Sequence, residues 1–359
     1  MPDTKRPLFI KRVFLLGVTI LAGLNFMLFA FCPGSAKKDL HENRATATFP
    51  SFRSTPLEKF FPQAEKYFTD NFILKYAYIS RLSALRKQVF NYSNPEIRVI
   101  AGKDGWMFYN SCHYADPGMD EFCGLKPLSE AELASIATTL QIAQRWCDLH
   151  GIVFIPLICP DKQSIYPEFL PSIYTSYREN CYDQMLAANP MLINLKKALL
   201  DAKPKTIFPL YYKTDTHWNK LGAFLAVSEL SKAIHTKFPV SKVLNLADIS
   251  ISEQHTDTGM DLARMLVWTG PVDETELTIR FNKRAGTRVH KAFVFHDSFF
   301  DAMEPSVSQL FDTVQTRHSC FGPLQMQEIL DAKPDVLIIE VVERSKALFV
   351  DQFRKPFTR

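Results

Sequence analysis

The chain has 359 residues, of which 47% are hydrophobic and 22% are charged. This composition excludes a disordered protein, and the length allows one large α/β domain or two smaller ones. The net charge of +4 arises in the first 38 residues, where six Lys and Arg stand against one Asp, and the remainder is close to neutral. No basic stripe follows, which excludes the nucleic-acid-binding classes.

An apolar run at 13–32 predicts a membrane anchor. Its only polar side chains are Thr19 and Asn25, and a helix of this length spans about 30 Å, the thickness of a bilayer core. Four basic residues precede the run and two follow it, so the positive-inside rule places residues 1–12 in the cytoplasm and the rest of the chain outside. A cleaved signal peptide is the alternative, because small residues follow at 34–36. The length of the run favours the uncleaved anchor.

Six cysteines lie beyond this anchor, where an oxidising compartment permits disulfides. Cys112 and Cys123 flank a short polar segment, and we expect them to be bridged. Buried free thiols are the alternative, above all for Cys147 and Cys159. No CxxC or His-rich spacing predicts a zinc site, and no motif predicts a cofactor.

Residues 33–56 are polar and contain prolines, so we interpret them as a stalk that precedes a catalytic domain at 57–359. Helical spacing of apolar residues runs from Leu57 to Phe90. From Glu96 onward, strand-like apolar runs alternate with amphipathic helices. The predicted strands are 152–158, 206–212, 290–296 and 335–342, and the predicted helices are 129–150, 191–202, 220–238 and 324–332. This alternation is typical of an α/β sheet with helices on both faces.

Asp215 and His217 follow the strand-like run 206–212, in a position where α/β sheets present ligand-binding residues. Residues two apart in an extended segment point to the same side, so the Asp215 carboxylate can hold the ring of His217 in one tautomer. Such a pair also occurs as an ordinary surface or core contact.

Ser298 follows the predicted strand 290–296 directly. A serine at the turn after a strand exposes its hydroxyl and can share its backbone N–H with a developing oxyanion. Together with Asp215 and His217, it would supply the nucleophile, the base and the orienting acid for acyl transfer.

Six segments of the sequence resemble the membrane-anchored alginate O-acetyltransferase family, which has an SGNH-hydrolase-like domain. They are GKDGWMFYN (102–110), CPDKQSIYPE (159–168), KTDTHWNKLGA (213–223), GMDLARML (259–266), HDSF (296–299) and PDVLIIEVVER (334–344). In that family the Asp-x-His element precedes the serine, as it does here.

The resemblance implies that Ser298 is the nucleophile, His217 the general base and Asp215 its partner. It also implies a polysaccharide acceptor, a multi-pass membrane acyltransferase that supplies acetyl groups, and a single-pass inner-membrane protein of bacteria with its domain in the periplasm. A carbohydrate acetyl esterase with the same three residues is one alternative. A catalytically silent scaffold of a polysaccharide-export complex is another.

The sequence departs from the family pattern at His296, where a glycine is usual. This residue could narrow the pocket or donate a hydrogen bond to the oxyanion. Five more residues in the matching segments are candidates for substrate contact, with a structural role as the alternative. They are Lys162, Tyr166, Trp218, Asn219 and Arg344.

Overall fold

The computed structural model describes residues 47–51, 55–70, 98–110, 119–174, 179–266, 268, 270–282, 287–321 and 324–346. The chain divides into two compact units, of which the first comprises Met1–Tyr92 with Arg264–Gly270, and the second comprises Ser93–Ala263 with Pro271–Arg359. The predicted anchor at 13–32 lies outside the described residues. Among the helices that are described, none combines the length and apolar character needed to cross a bilayer.

The first unit contains helix α1, Leu57–Asp70. The ring of Phe49 meets the rings of Phe60 and Tyr67 edge-on, with centroids 6.1 and 5.2 Å apart. The predicted continuation of this helix to Phe90 lies outside the described residues.

Except for Arg264 and Met265, the last two residues of helix Asp261–Met265, which belong to the first unit, the remaining described elements belong to the second unit. Its strands are β1 (Val99–Ala101), β2 (Met107–Tyr109), β3 (Val153–Cys159), β4 (Ile249–Thr256), β5 (Glu274–Phe281), β6 (Val289–His296), β7 (Phe311–His318) and β8 (Val336–Val342). Its helices are α2 (Met119–Phe122), α3 (Glu130–Leu149), α4 (Lys162–Ile165), α5 (Cys181–Ala188), α6 (Leu195–Ala202), α7 (Lys220–Lys237), α8 (Asp261–Met265), α9 (Glu304–Val307) and α10 (Met326–Ala332). Short 3-10 turns connect several of them, including Phe300–Ala302 after β6.

A four-stranded parallel sheet in the order β3-β8-β6-β7 forms the centre of this unit, while β1 with β2 and β4 with β5 form two antiparallel pairs. Alternate residues of β3, β8 and β6 point to opposite faces of the sheet, and those of each face belong to a separate hydrophobic cluster. Side chains of α6 and α7 belong to one cluster, and those of α3, α5 and α10 to the other. Helices therefore cover both faces, which confirms the predicted α/β architecture.

The predicted strands 152–158, 290–296 and 335–342 are confirmed as β3, β6 and β8. The predicted strand 206–212 is wrong. Only Tyr211 forms a bridge there, to Trp218 in the segment that follows, while the N–H of Leu210 donates to the hydroxyl of Tyr166. Pro209 has no N–H to offer a ladder, and the chain turns back on itself instead of entering the sheet.

Helix capping follows the sequence signals closely. Ser129 and Glu132 form a capping box at the start of α3. Asn219 caps α7 by accepting hydrogen bonds from the N–H groups of Leu221 and Gly222. A Cβ at Gly222 would lie 2.2 Å from the carbonyl oxygen of Leu210, so glycine is required for this close approach of α7 to the returning chain.

The predicted disulfide is absent from the structure. Cys123 is a free thiol, 3% exposed within the hydrophobic cluster of β1 and β2, and burial raises its pKa. It packs as a small apolar side chain, the alternative role for a buried cysteine. Cys112 lies outside the described residues.

Candidate active site

Polar residues follow the carboxyl ends of three neighbouring strands in the central sheet. Asp161 and Lys162 come after β3, Ser298 after β6, and Arg344 after β8. Parallel strands bring such residues to one edge of the sheet, which is where open α/β sheets bind ligands.

Asp297 fixes the turn that carries Ser298. One oxygen of its carboxylate accepts the N–H of Phe299 at 2.9 Å, and the other accepts the N–H of Val342 at 2.7 Å. The N–H of Asp297 itself donates to Glu340, a fully buried residue of β8. Among the described residues, none accepts a hydrogen bond from the N–H of Ser298. The serine is therefore held at the strand end with its hydroxyl and its N–H both available.

The segment 211–218, which we call the histidine loop, presents Asp215 and His217 to this serine. Nε2 of His217 lies 2.8 Å from Oγ of Ser298, and Nδ1 lies 2.6 Å from the Asp215 carboxylate. The indole N–H of Trp218 donates to the carbonyl of Phe299, which ties the two segments together directly beside the serine. The structure thus brings together the three residues predicted from sequence, although 81 positions separate His217 from Ser298.

The electrostatic environment of Asp215 favours its charged form. Burial alone would raise the pKa of this carboxyl, but the hydrogen bonds and charge of His217 outweigh burial and hold the pKa below its usual value. An ionised Asp215 accepts the hydrogen of Nδ1, so Nε2 of a neutral His217 has its lone pair directed at the hydroxyl of Ser298. This arrangement can remove the proton of the serine as its oxygen attacks a carbonyl.

A second carboxylate, which the sequence analysis did not assign to the site, lies behind His217. Asp261 accepts hydrogen bonds from both the N–H and the hydroxyl of Thr216, each at 2.9 Å, and the hydroxyl oxygen of Thr216 lies 3.0 Å from Nδ1 of His217. Burial and the nearby Asp215 raise the pKa of Asp261. Asp261 belongs to the segment GMDLARML, which was the available sequence signal.

Glu274 of β5 supports the histidine loop through its carboxylate. Its carboxylate, 1% exposed, accepts the N–H groups of Lys213 and Thr214 at 3.1 and 2.7 Å and the hydroxyl of Thr214 at 2.7 Å. These bonds fix the backbone just before Asp215. The sequence carried no signal for this role.

Lys162 is buried next to the histidine loop. Its ammonium group donates to the carbonyls of Met107 and Lys213 at 2.8 and 3.0 Å, and the residue is 2% exposed. Burial lowers its pKa to about 7, against the opposing attraction of Asp215 and Glu274. The lysine joins the β1–β2 pair to the histidine loop.

Arg344 lies between two aromatic rings beside the serine turn. Its guanidinium carbon is 5.2 Å from the ring centre of Tyr109 and 5.3 Å from that of Phe299, and it forms a buried ion pair with Asp161. Glu343 accepts the N–H of Asp161 at 2.8 Å and the hydroxyl of Ser164. The ends of β3 and β8 are thereby connected by charged side chains.

The other candidate residues use their polar groups within the protein. The hydroxyl of Tyr166 accepts a hydrogen bond from the N–H of Leu210, and the indole N–H of Trp218 donates one to the carbonyl of Phe299. The side-chain amide of Asn219 donates to the carbonyl of Pro209, and its oxygen accepts the first N–H groups of α7. His296 is 5% exposed and lies against the ring of Phe300. Their assignment to substrate contact stays a prediction.

A pH dependence of stability follows from Glu343. Burial and the neighbouring Asp161 raise its pKa to about 7, from an ordinary value of 4.5. The folded chain therefore binds a proton that the unfolded chain releases within this window, so the free energy of unfolding falls as the pH rises from about 4.5 to about 7 and levels off above. We expect Glu343→Gln to reduce this fall by up to about 3 kcal/mol.

Urea unfolding across the same pH window measures this effect. Glu130→Gln, at an exposed position in the first turn of α3, is the matched control and should leave the wild-type pH slope unchanged. An identical slope in wild type and Glu343→Gln would contradict the assignment.

Comparison with known proteins shows which family this chain belongs to. The family model for the SGNH hydrolase-like domain of the acetyltransferase AlgX matches residues 99–307, more than half of the chain. The chain belongs to this family. The family match includes the histidine loop, the segment with Asp261 and the serine turn, and it confirms the SGNH-hydrolase-like fold that was predicted from sequence.

Curated relatives carry the name probable alginate O-acetylase AlgJ. The protein of Pseudomonas syringae pv. tomato is 27% identical over 182 residues, which cover 49% of this chain and 43% of the relative. That of Pseudomonas putida is 26% identical over 176 residues, covering 48% and 42%. This AlgX-family chain thus spans less than half the length of the curated relatives it matches.

Solved structures with a similar fold include Bacillus cereus PatB1 with a sulfonyl adduct. It matches with a TM-score of 0.50 and 16% identity, over 70% of this chain and 96% of that one. The O-acetyltransferase domain of Pseudomonas putida AlgJ matches with a TM-score of 0.48 and 19% identity, over 73% and 99%. At this identity the PatB1 likeness concerns the fold alone.

Proposed function

We propose that this protein is an O-acetyltransferase in which Ser298 carries the acetyl group. The observation that supports this is the contact of Ser298 with His217 at 2.8 Å, together with the contact of His217 with Asp215 at 2.6 Å. A serine hydroxyl is a weak nucleophile at neutral pH unless a base takes its proton, and this arrangement provides the base and orients it.

The reaction proceeds in two steps, acetylation of Ser298 and transfer of the acetyl group to an acceptor. In the first, Oγ of Ser298 bonds to the carbonyl carbon of an acetyl donor, its proton passes to Nε2 of His217, and the leaving group departs with that proton. In the second, an acceptor hydroxyl gives its proton to His217 and its oxygen attacks the carbonyl carbon of the acetyl-serine. The bond from that carbon to Oγ breaks, and His217 returns the proton to Oγ of Ser298. The unengaged N–H of Ser298 stabilises the oxyanion in both steps.

The acceptor is the hydroxyl of an extracytoplasmic polysaccharide, by analogy with the alginate O-acetylase names of the relatives. A multi-pass membrane acyltransferase would deliver acetyl groups across the bilayer. The apolar run at 13–32 would anchor the protein in the bacterial inner membrane, with the catalytic domain at 57–359 in the periplasm.

Transfer is distinguished from hydrolysis by the fate of the acetyl group. Purified protein is incubated with a small activated acetyl ester, with and without an oligomannuronate acceptor, and the products are separated by mass spectrometry. Acetylated oligosaccharide supports the proposal. Acetate alone at every acceptor concentration supports the esterase instead.

Asp215→Asn should lower the rate of this reaction by about 10²–10⁴, because it removes the charge that stabilises the imidazolium and holds its tautomer. The fold should be unchanged, since the two side chains have the same shape. Asp273→Asn is the matched control, because Asp273 is an exposed carboxylate paired with Lys213 of the same loop. Equal rates for Asp215→Asn and Asp273→Asn would refute the role of Asp215.

A further inference from the structure

Three potential metal ligands converge beside the serine turn, on the side formed by the ends of β6 and β7. His296 is the last residue of β6, His318 is the last of β7, and the two are directly paired in the parallel register. Paired residues on neighbouring strands point to the same face of a sheet. Asp301, in the 3-10 turn Phe300–Ala302, completes the group, and one ligand atom from each of the three lies within 4.8 Å of the others.

His296 has the environment of a metal-binding histidine. Its Nδ1 lies 2.7 Å from the carbonyl oxygen of Asp297, and a carbonyl can only accept, so Nδ1 carries the hydrogen and Nε2 the lone pair. Histidine ligands characteristically donate their other N–H to a backbone carbonyl in this way. The residue is 5% exposed, and among the described residues none donates a hydrogen bond to Nε2.

The ring of His296 contacts a second histidine ring, at the end of β7. The ring of His318 lies 5.1 Å away, inclined at 69°. Nδ1 of His318 accepts the N–H of Cys320 at 3.2 Å, so a cation bound at that nitrogen would displace this long hydrogen bond. Asp301 is exposed, and its carboxylate can turn toward the histidines at little cost.

We propose that His296, His318 and Asp301 bind a divalent first-row transition metal ion such as Zn²⁺. Two imidazoles and one carboxylate are a ligand set that this ion accepts, with water in the remaining position. The three ligands are distinct from Asp215, His217 and Ser298. The ion would join β7 to both sides of the turn that carries Ser298, since His296 precedes and Asp301 follows the serine. This inference does not depend on the proposed acetyl transfer.

Isothermal titration of the chelator-treated full chain with Zn²⁺ tests the site. Wild type should bind one equivalent saturably, and His318→Gln and Asp301→Asn should each raise the Kd at least about tenfold. His290→Gln is the matched control. His290 is exposed at the opposite end of β6, with its Nδ1 3.8 Å from the carboxylate of Asp312 on β7, and its loss should leave the Kd unchanged.

Visible absorption of Co²⁺ substituted for Zn²⁺ gives a second readout that does not depend on activity. Circular dichroism establishes whether each variant is folded. If His318→Gln does not fold, Asp301→Asn decides the test, because it changes only an exposed side chain. The proposal is overturned if wild type binds no Zn²⁺ saturably, if His290→Gln weakens binding as much as the other variants do, or if Asp301→Asn binds as tightly as wild type.

Discussion

Replacing Ser298 by alanine is expected to abolish turnover of an activated acetyl ester and to prevent labelling by a serine-directed phosphonate. The reason is chemical, because no other group at this position can form the acyl-enzyme. His217→Ala should be nearly as damaging, since the hydroxyl then loses the base that lies 2.8 Å away. The residual rate should be lower than wild type by about 10³-fold or more.

Stopped-flow measurement of the acetyl ester reaction, with thermal unfolding as a check on the fold, provides the comparison. Ser250→Ala, at an exposed serine of β4, is the control and should keep the wild-type rate. Wild-type activity in a folded Ser298→Ala variant would exclude an acyl-enzyme at Ser298. A folded wild-type protein that turns over no acetyl ester would favour the silent scaffold.

Replacing Arg344 by methionine is expected to cause the largest loss of stability among single substitutions near the site. The aliphatic part of the side chain is retained between Tyr109 and Phe299, but the Asp161 carboxylate, which is 4% exposed, loses its cation. Leaving one charge of a buried pair uncompensated costs about 3–5 kcal/mol. Urea denaturation of the purified variant measures this loss directly.

A double variant separates the charge from the packing. Asp161→Asn combined with Arg344→Met removes both charges, and it should recover part of the stability lost in Arg344→Met alone. Arg145→Met, on the exposed face of α3, controls for the substitution itself and should change stability by less than about 0.5 kcal/mol. A loss equally small in Arg344→Met would show that the ion pair contributes little.

The central sheet and the three candidate catalytic side chains were predictable because each depends on local signals. Strands β3, β6 and β8 consist mainly of apolar residues, the pattern of strands that are buried on both faces. The serine follows one such run directly. The pairing of Asp215 with His217 could be predicted from their two-residue spacing alone.

The features that the sequence did not predict depend on contacts between distant segments. Glu274 reaches Thr214 through the position of β5, and no pattern around either residue indicates the contact. His296 and His318 meet only because β6 and β7 pair in a particular register. The run at 206–212 has strand-like composition, but its backbone groups form hydrogen bonds with the backbone of His217 and Asn219 and with the hydroxyl of Tyr166. These partners lie outside any run that periodicity can detect.

The strand order has a consequence for the way the site is assembled. Strand β8 lies between β3 and β6, yet it is the last of the four along the chain. Until it is inserted, β3 and β6 have no direct partner in one another, and Asp297 lacks the N–H of Val342 that holds the serine turn. Such non-local pairing makes folding slow and leaves unpaired strand edges exposed during it. A chain that emerges amino terminus first would therefore contain the histidine loop and Ser298 before β8 could hold the serine turn in position. The proposed acyl transfer would begin only after β8 had joined the sheet.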